Sequence, residues 1–312
     1  MSTTITPSTP SSAGGPTGPA EEQRAPSRMG PALTFAKKFF SMPTALAGTI
    51  ILVAFGALAL AAPLFISDAD LNVTEADGPL LHPPTQGYPL GTDPAGRSVL
   101  LMVIWGARTS LTIGIMATLL TMILGSLVGL VAGHYGGFFG RSLMHVTDWF
   151  IALPSLPLAI SLAAVLGQGK TSITIAIAVT SWTGTARLVR AQTLAVEARP
   201  YIERAKALGA GNRQVMSRHV LPNVAPLILV SSTLTVASAI LSETTLTFLG
   251  LGDPTEVSWG AMLNQAFGQG AVTAGAWWYL LAPGVAILIV VLGFTLVGRA
   301  VEYQLNARVQ GE

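Results

Sequence analysis

The chain of 312 residues has no cysteine, which excludes disulfides, thiolate nucleophiles and cysteine-bound metals. Charge is also scarce. Asp, Glu, Lys and Arg make up 10% of the residues, against roughly 25% in soluble domains. A soluble domain of this length could not cover itself with so little charge. Hydrophobic residues make up 51%, which points to lipid as the solvent. The net charge of +2 is too weak to imply a nucleic-acid partner. The four histidines (His82, His134, His145 and His219) all fall near loops. No metal cluster, serine–base pair or cofactor site is expected from them.

The apolar residues are gathered into runs. Expected spans are 44–66, 109–132, 146–166, 173–189, 224–247 and 276–297, most of them near the ~20 residues that cross a bilayer. The first run contains Ala59-Leu60-Ala61, which resembles a signal-peptide cleavage site. It continues past that point, so an uncleaved span is expected. Gly125, Gly129 and Gly133 recur every four residues, a pattern that lets helix backbones approach closely. Pro154 and Pro157 stand inside the third run, where neighbours can satisfy freed carbonyls. Trp277-Trp278-Tyr279 read as an interfacial aromatic belt. Residues 1–35 are rich in Ser, Thr, Pro, Gly and Ala and are expected to form a disordered cytoplasmic tail.

Positive residues give the orientation. Fourteen of the 17 Lys and Arg fall on one side of this six-span arrangement, leaving Arg97, Arg108 and Lys170 on the other. The fold class is therefore all-α and polytopic, with six transmembrane helices and both termini cytoplasmic. The expected division is a first span with its external loop over 36–90 and a core transmembrane domain over 91–312.

The longest polar run between spans covers Glu197 to Pro226. Pro200 suits the first turn of a helix, and Gly209 stands where a left-handed residue ends one. Tyr201, Ala205 and Leu208 share a face by their spacing, with Ile202 beside them. Glu203, Arg204 and Lys206 lie away from it. The result is a short amphipathic helix over 198–209, the form of a ligand for a groove on another protein.

Glu203-Arg204-Ala205, Gly209-Ala210 and Arg218-His219-Val220-Leu221-Pro222-Asn223 resemble the Glu-Ala-Ala loop of ABC importer permeases. Pro89-Leu90-Gly91-Thr92-Asp93-Pro94-Ala95-Gly96-Arg97-Ser98 resembles the C-type permease subunit of the dipeptide, oligopeptide and nickel branch. Glu243-Thr244-Thr245-Leu246-Thr247-Phe248-Leu249-Gly250-Leu251-Gly252 and Ser258-Trp259-Gly260 resemble two further segments of that branch. The resemblance covers about residues 36–300, in the family's order. It implies a type I importer permease fold in a prokaryotic plasma membrane. It also implies a second homologous permease, two cytoplasmic ATP-binding subunits and an external solute-binding protein as partners. The coupling contact would be made by Tyr201, Ile202, Glu203, Ala205, Leu208 and Gly209. Short peptides are the implied cargo. Nickel chelates, or a carrier or channel acting alone, are the alternatives.

Other polar residues carry separate expectations. Thr92-Asp93-Pro94 reads as a helix start capped by Asp93, with Asp93 and Arg97 as candidate external-face contacts. Glu243 lies near the outer boundary of its span, either as a hydrogen-bond anchor or as a lining of the translocation path. Asp148 reads as interfacial or ion-paired. Residues 164–171, ending in Lys170-Thr171, satisfy a relaxed phosphate-loop pattern. That chemistry needs a strand before the loop and a helix after it, so ATP hydrolysis is expected in separate subunits.

Overall fold

The computed structural model describes residues 31–310, so most of the expected tail at 1–35 lies outside the described residues. Among these, every extended regular element is helical, and the only bridge joins Thr92 to Ser98. Helix α1 (Pro31–Phe40) leads into α2 (Pro43–Phe65), which has proline in its first turn. A short α3 (Asp68–Leu71) begins the segment between α2 and α4. Then come α4 (Val99–Tyr135), α5 (Gly137–Ala152), α6 (Ser155–Leu166) and α7 (Lys170–Glu197). The polar stretch holds α8 (Pro200–Ala207) and α9 (Asn212–Val215), followed by a π-helical turn over Met216–Val220. Helices α10 (Leu221–Phe248), α11 (Trp259–Gly268) and α12 (Trp277–Gln310) complete the chain.

Four stretches are long and apolar enough to cross a membrane: α2, α4, Asn212–Phe248 and α12. The expected span over 146–166, with its two prolines, is divided in two. It is a pair of helices, α5 and α6, bent by 91° and countable as a fifth crossing. The bend falls at Leu153, which is extended (ψ 134) because Pro154 excludes the helical conformation from the residue before it. Helix α7 is not among the four stretches. It is packed between α4, α6, α10 and α5, and its Thr183, Thr185 and Thr193 are buried.

Backbone proximity organises the centre. A Cβ on Gly125 would lie 2.6 Å from the Trp182 carbonyl oxygen, and one on Gly129 would lie 2.5 Å from that of Ala186. At Gly133 it would meet Thr193 Cγ2 at 2.6 Å. The glycine row is thus the seam between α4 and α7, as the spacing predicts. Helix α4, with 37 residues at ~1.5 Å each, carries one polar cluster near each end.

Candidate functional site

At the α8 end of the molecule, Ile202 is fully buried with Leu130, Val189, Val196, Val215, Val220 and Val224. This corrects the expectation that Ile202 belongs to the docking face. Its side chain pins α8 to the ends of α4, α7 and α10. Leu208 is the opposite case, at 89% exposure. Tyr201 is 38% exposed, Ala205 is half-buried, and Glu203 and Gly209 are exposed. The exposed apolar patch therefore centres on Leu208, with Tyr201 beside the pin.

Helix α8 ends as its sequence predicts. Gly209 takes φ +91, where a Cβ is penalised. The Gly209 N–H donates to the Lys206 carbonyl and the Ala210 N–H to that of Ala205, each at 3.0 Å. This pair of bonds satisfies carbonyls that the helix leaves free.

Leu221-Pro222-Asn223 holds α8 from the other side. Pro222 has no N–H for the carbonyl four residues back, and the preceding turn widens into π geometry, with the Leu221 N–H donating to Met216. Asn223 Nδ2 donates to the His219 carbonyl at 2.7 Å. The Tyr201 and His219 rings lie 6.0 Å apart.

Glu197, the last residue of α7, had no assigned role in the sequence. One carboxylate oxygen lies 2.5 Å from Lys206 Nζ on α8. The other lies 2.5 Å from His134 Nδ1 on α4. His134 and Glu197 are 63 positions apart, and no local pattern marks such a meeting.

The opposite end of α4 carries Asp93 and Arg97. The expected helix start at Asp93 is corrected: the helix begins at Val99, and Asp93 instead closes a turn. Its carboxylate accepts from the Ala95 and Arg97 N–H groups and from Arg97 Nε at 2.8 Å. Arg97 also donates to the Leu71 carbonyl and to Gln265 Oε1, each at 3.1 Å. Tyr279 Oη donates to the same Gln265 oxygen. Asp93 and Arg97 are 1% and 7% exposed, so neither offers a free charged surface. The Arg97 side chain edges a cleft of about 480 Å³ shared with Asn72, Trp105 and Glu256.

Glu243 is wholly buried. Its carboxylate oxygens lie 3.5 and 3.4 Å from the Thr244 and Thr247 hydroxyls, and Ser110 and Ser258 stand close to it. Trp259, next to Ser258, donates its N–H to Ser110 and its indole N–H to the Val103 carbonyl. Glu243 on α10 thus sits where α4 and α11 meet it. Asp148 pairs with Arg187 at 2.6 Å. Lys170 opens a helix and pairs with Glu256 at 2.7 Å. No strand precedes it among the described residues.

Long apolar helices around a pinned short helix give this chain the form of a multi-pass membrane protein. Residues 125–311 match the family of binding-protein-dependent transport system inner membrane components. The dipeptide transport system permease protein DppC of Alkalihalophilus pseudofirmus is 34% identical, over 85% of this chain and 86% of its own. The oligopeptide transport system permease protein OppC of Bacillus subtilis is 35% identical, over 88% of each chain. The glutathione transport system permease protein GsiD of Pectobacterium atrosepticum is 34% identical, over 73% and 75%. A chain from inward-facing structures of the MetNI methionine ABC transporter matches in fold at TM-score 0.51 and 18% identity, covering 65% of this chain and 97% of that one.

This chain belongs to the binding-protein-dependent permease family. It is a multi-pass plasma-membrane protein and a permease component of an ABC transport system.

Proposed function

We propose that this chain forms half of the translocation path of an ATP-driven importer for short peptides. A second homologous permease completes the path, and an external binding protein delivers the solute. Two cytoplasmic ATP-binding subunits hydrolyse ATP, each receiving one permease's coupling helix. Peptides are favoured over nickel chelates because the relatives above are dipeptide, oligopeptide and glutathione permeases. The six-span reading counts α2, α4, the bent α5–α6 pair, α7, α10 and α12 as crossings, with both termini cytoplasmic.

The observation that carries the coupling role is the contrast within α8. Ile202 ties the helix to the bundle, while Leu208 at its end is bare. An apolar side chain exposed beside exposed charges fits an apolar groove on another protein. Closure of the ATPase pair would then push α8 and shift the bundle between two packings.

Leu208→Asp tests this reading. A charge in a dry groove costs several kcal/mol, so peptide uptake and ATPase co-purification should both fall at unchanged membrane abundance. Normal uptake and co-purification would refute the role. For topology, a cytoplasm-specific reporter should be active after Asn212 and silent after Asn264. The reverse pattern would refute six spans.

A further inference from the structure

Helix α8 meets the rest of the chain at distinct points. Ile202 enters the apolar cluster on one side. Lys206, one turn further on, reaches Glu197, and Glu197 reaches His134 with its second oxygen. A single apolar pin lets an eight-residue helix swivel about it. A second, directional attachment at the other end removes that freedom.

We propose that Glu197 is a positioning residue for transport, clamping the coupling helix to the end of α4 so that α8, α7 and α4 move as one body. The proposal rests on the coupling role assigned to α8 above. It adds the element through which a push on that helix reaches the longest span.

Three features set this triad apart from an ordinary surface ion pair, which contributes little. The His134 and Glu197 side chains are only 2% and 12% exposed, with Lys206 at 44%. The carboxylate is bidentate across three helices, each oxygen serving a different one. Both helices it joins are already closely packed near this end, Gly129 against the Ala186 backbone and the Val189 side chain and Gly133 against the Thr193 side chain. A displacement delivered to Glu197 or His134 therefore enters a tightly packed pair. The wide turn before α10 meets α8 near Ile202, through Tyr201 and His219, whereas Lys206 meets Glu197.

The test has two arms. The native chain has no cysteine, so spin labels at Tyr135→Cys and Ala207→Cys report the α4–α8 separation in the full-length chain alone. A single narrow distance distribution is expected. Glu197→Gln and Lys206→Met should broaden it, while Lys206→Arg should keep it narrow. Unchanged distributions in both neutral variants would overturn the clamp.

The second arm uses the assembled importer in proteoliposomes, with a dipeptide as solute and hydrolysis measured alongside uptake. Glu197→Gln and Lys206→Met should retain the ATPase subunits yet import at least about five-fold less peptide per ATP, the lower end of typical coupling effects. Lys206→Arg should restore the ratio. An unchanged ratio, or loss of the ATPase subunits from the neutral variants, would overturn the proposal. Failure of the unaltered complex to assemble or import peptide would refute the functional reading instead. The label distances would still decide whether the clamp exists.

Discussion

Truncating Ile202 and Leu208 separately distinguishes the pin of α8 from its exposed tip. Ile202→Ala removes a side chain packed among Val189, Val196, Val215, Val220, Val224 and Leu130. Large-to-alanine changes at such sites cost about 2–5 kcal/mol. Helix α8 is short, so that loss should act first on its own opening equilibrium. At ~1.4 kcal/mol per factor of ten, even the lower bound predicts about 30-fold faster hydrogen exchange over residues 201–208. Leu208 is 89% exposed, and truncation there should change the isolated chain by no more than about 0.5 kcal/mol. Its effect should appear on binding. Burying a leucine contributes about 1.5–3 kcal/mol, so Leu208→Ala should weaken ATPase association by about ten-fold or more. The assay is exchange mass spectrometry on the purified permease, with affinity for the ATPase subunits measured in parallel. Equal exchange in the two variants, or unchanged exchange in Ile202→Ala, would refute the division of roles.

Three further outcomes are expected. Gly260→Ala places a Cβ 1.7 Å from Thr247 Oγ1 and 2.7 Å from the Thr244 carbonyl oxygen, so the thermal midpoint should fall by an amount corresponding to about 1–3 kcal/mol. Gly268→Ala, which meets nothing within 4 Å, is the control, and equal midpoints would contradict the close packing of α11 on α10. Gly209→Val meets no neighbour either, so its penalty is the left-handed backbone alone, about 1–2 kcal/mol. Uptake per ATP should drop in Gly209→Val and drop less in Gly209→Asn, which tolerates that conformation better; equal effects would count against strain as the cause. The Thr255 hydroxyl and N–H hold the Asp253 carboxyl below its usual 3.8. A depressed folded value stabilises the loop above the unfolded value, and the contribution is lost as pH falls through the folded one. Intrinsic-rate-corrected exchange at Thr255 should therefore accelerate only in acid, and Thr255→Val should move the onset to higher pH; a pH-independent loop would show that these bonds do not order it.

Much of the architecture follows from the sequence because lipid imposes severe local rules. A crossing helix must be long and apolar, so α2, α10 and α12 fall within a few residues of their expected limits, apart from the longer tail of α12. The glycine row predicted a close helix contact because a missing side chain is itself the packing feature; that α7 is the partner is seen only in the structure. The left-handed Gly209 was legible because no other residue takes that conformation so cheaply.

Other decisions belong to the tertiary structure. Tyr201, Ile202, Ala205 and Leu208 give a short helix so broad an apolar stripe that periodicity cannot say which part faces inward. The valines of α7, α9 and the π-helical turn decide it, burying Ile202 and leaving Leu208 bare. Thr92-Asp93-Pro94 carries the residues of a helix cap, but Arg97 captures the Asp93 carboxylate and closes a turn instead. Helix α7 was legible only as the apolar run at 173–189; its extension to Glu197 and its packing against α4, α5, α6 and α10 belong to the tertiary structure. The meeting of His134, Glu197 and Lys206 has no sequence signature, because contacts across 63 positions arise only when packed helices bring their ends together.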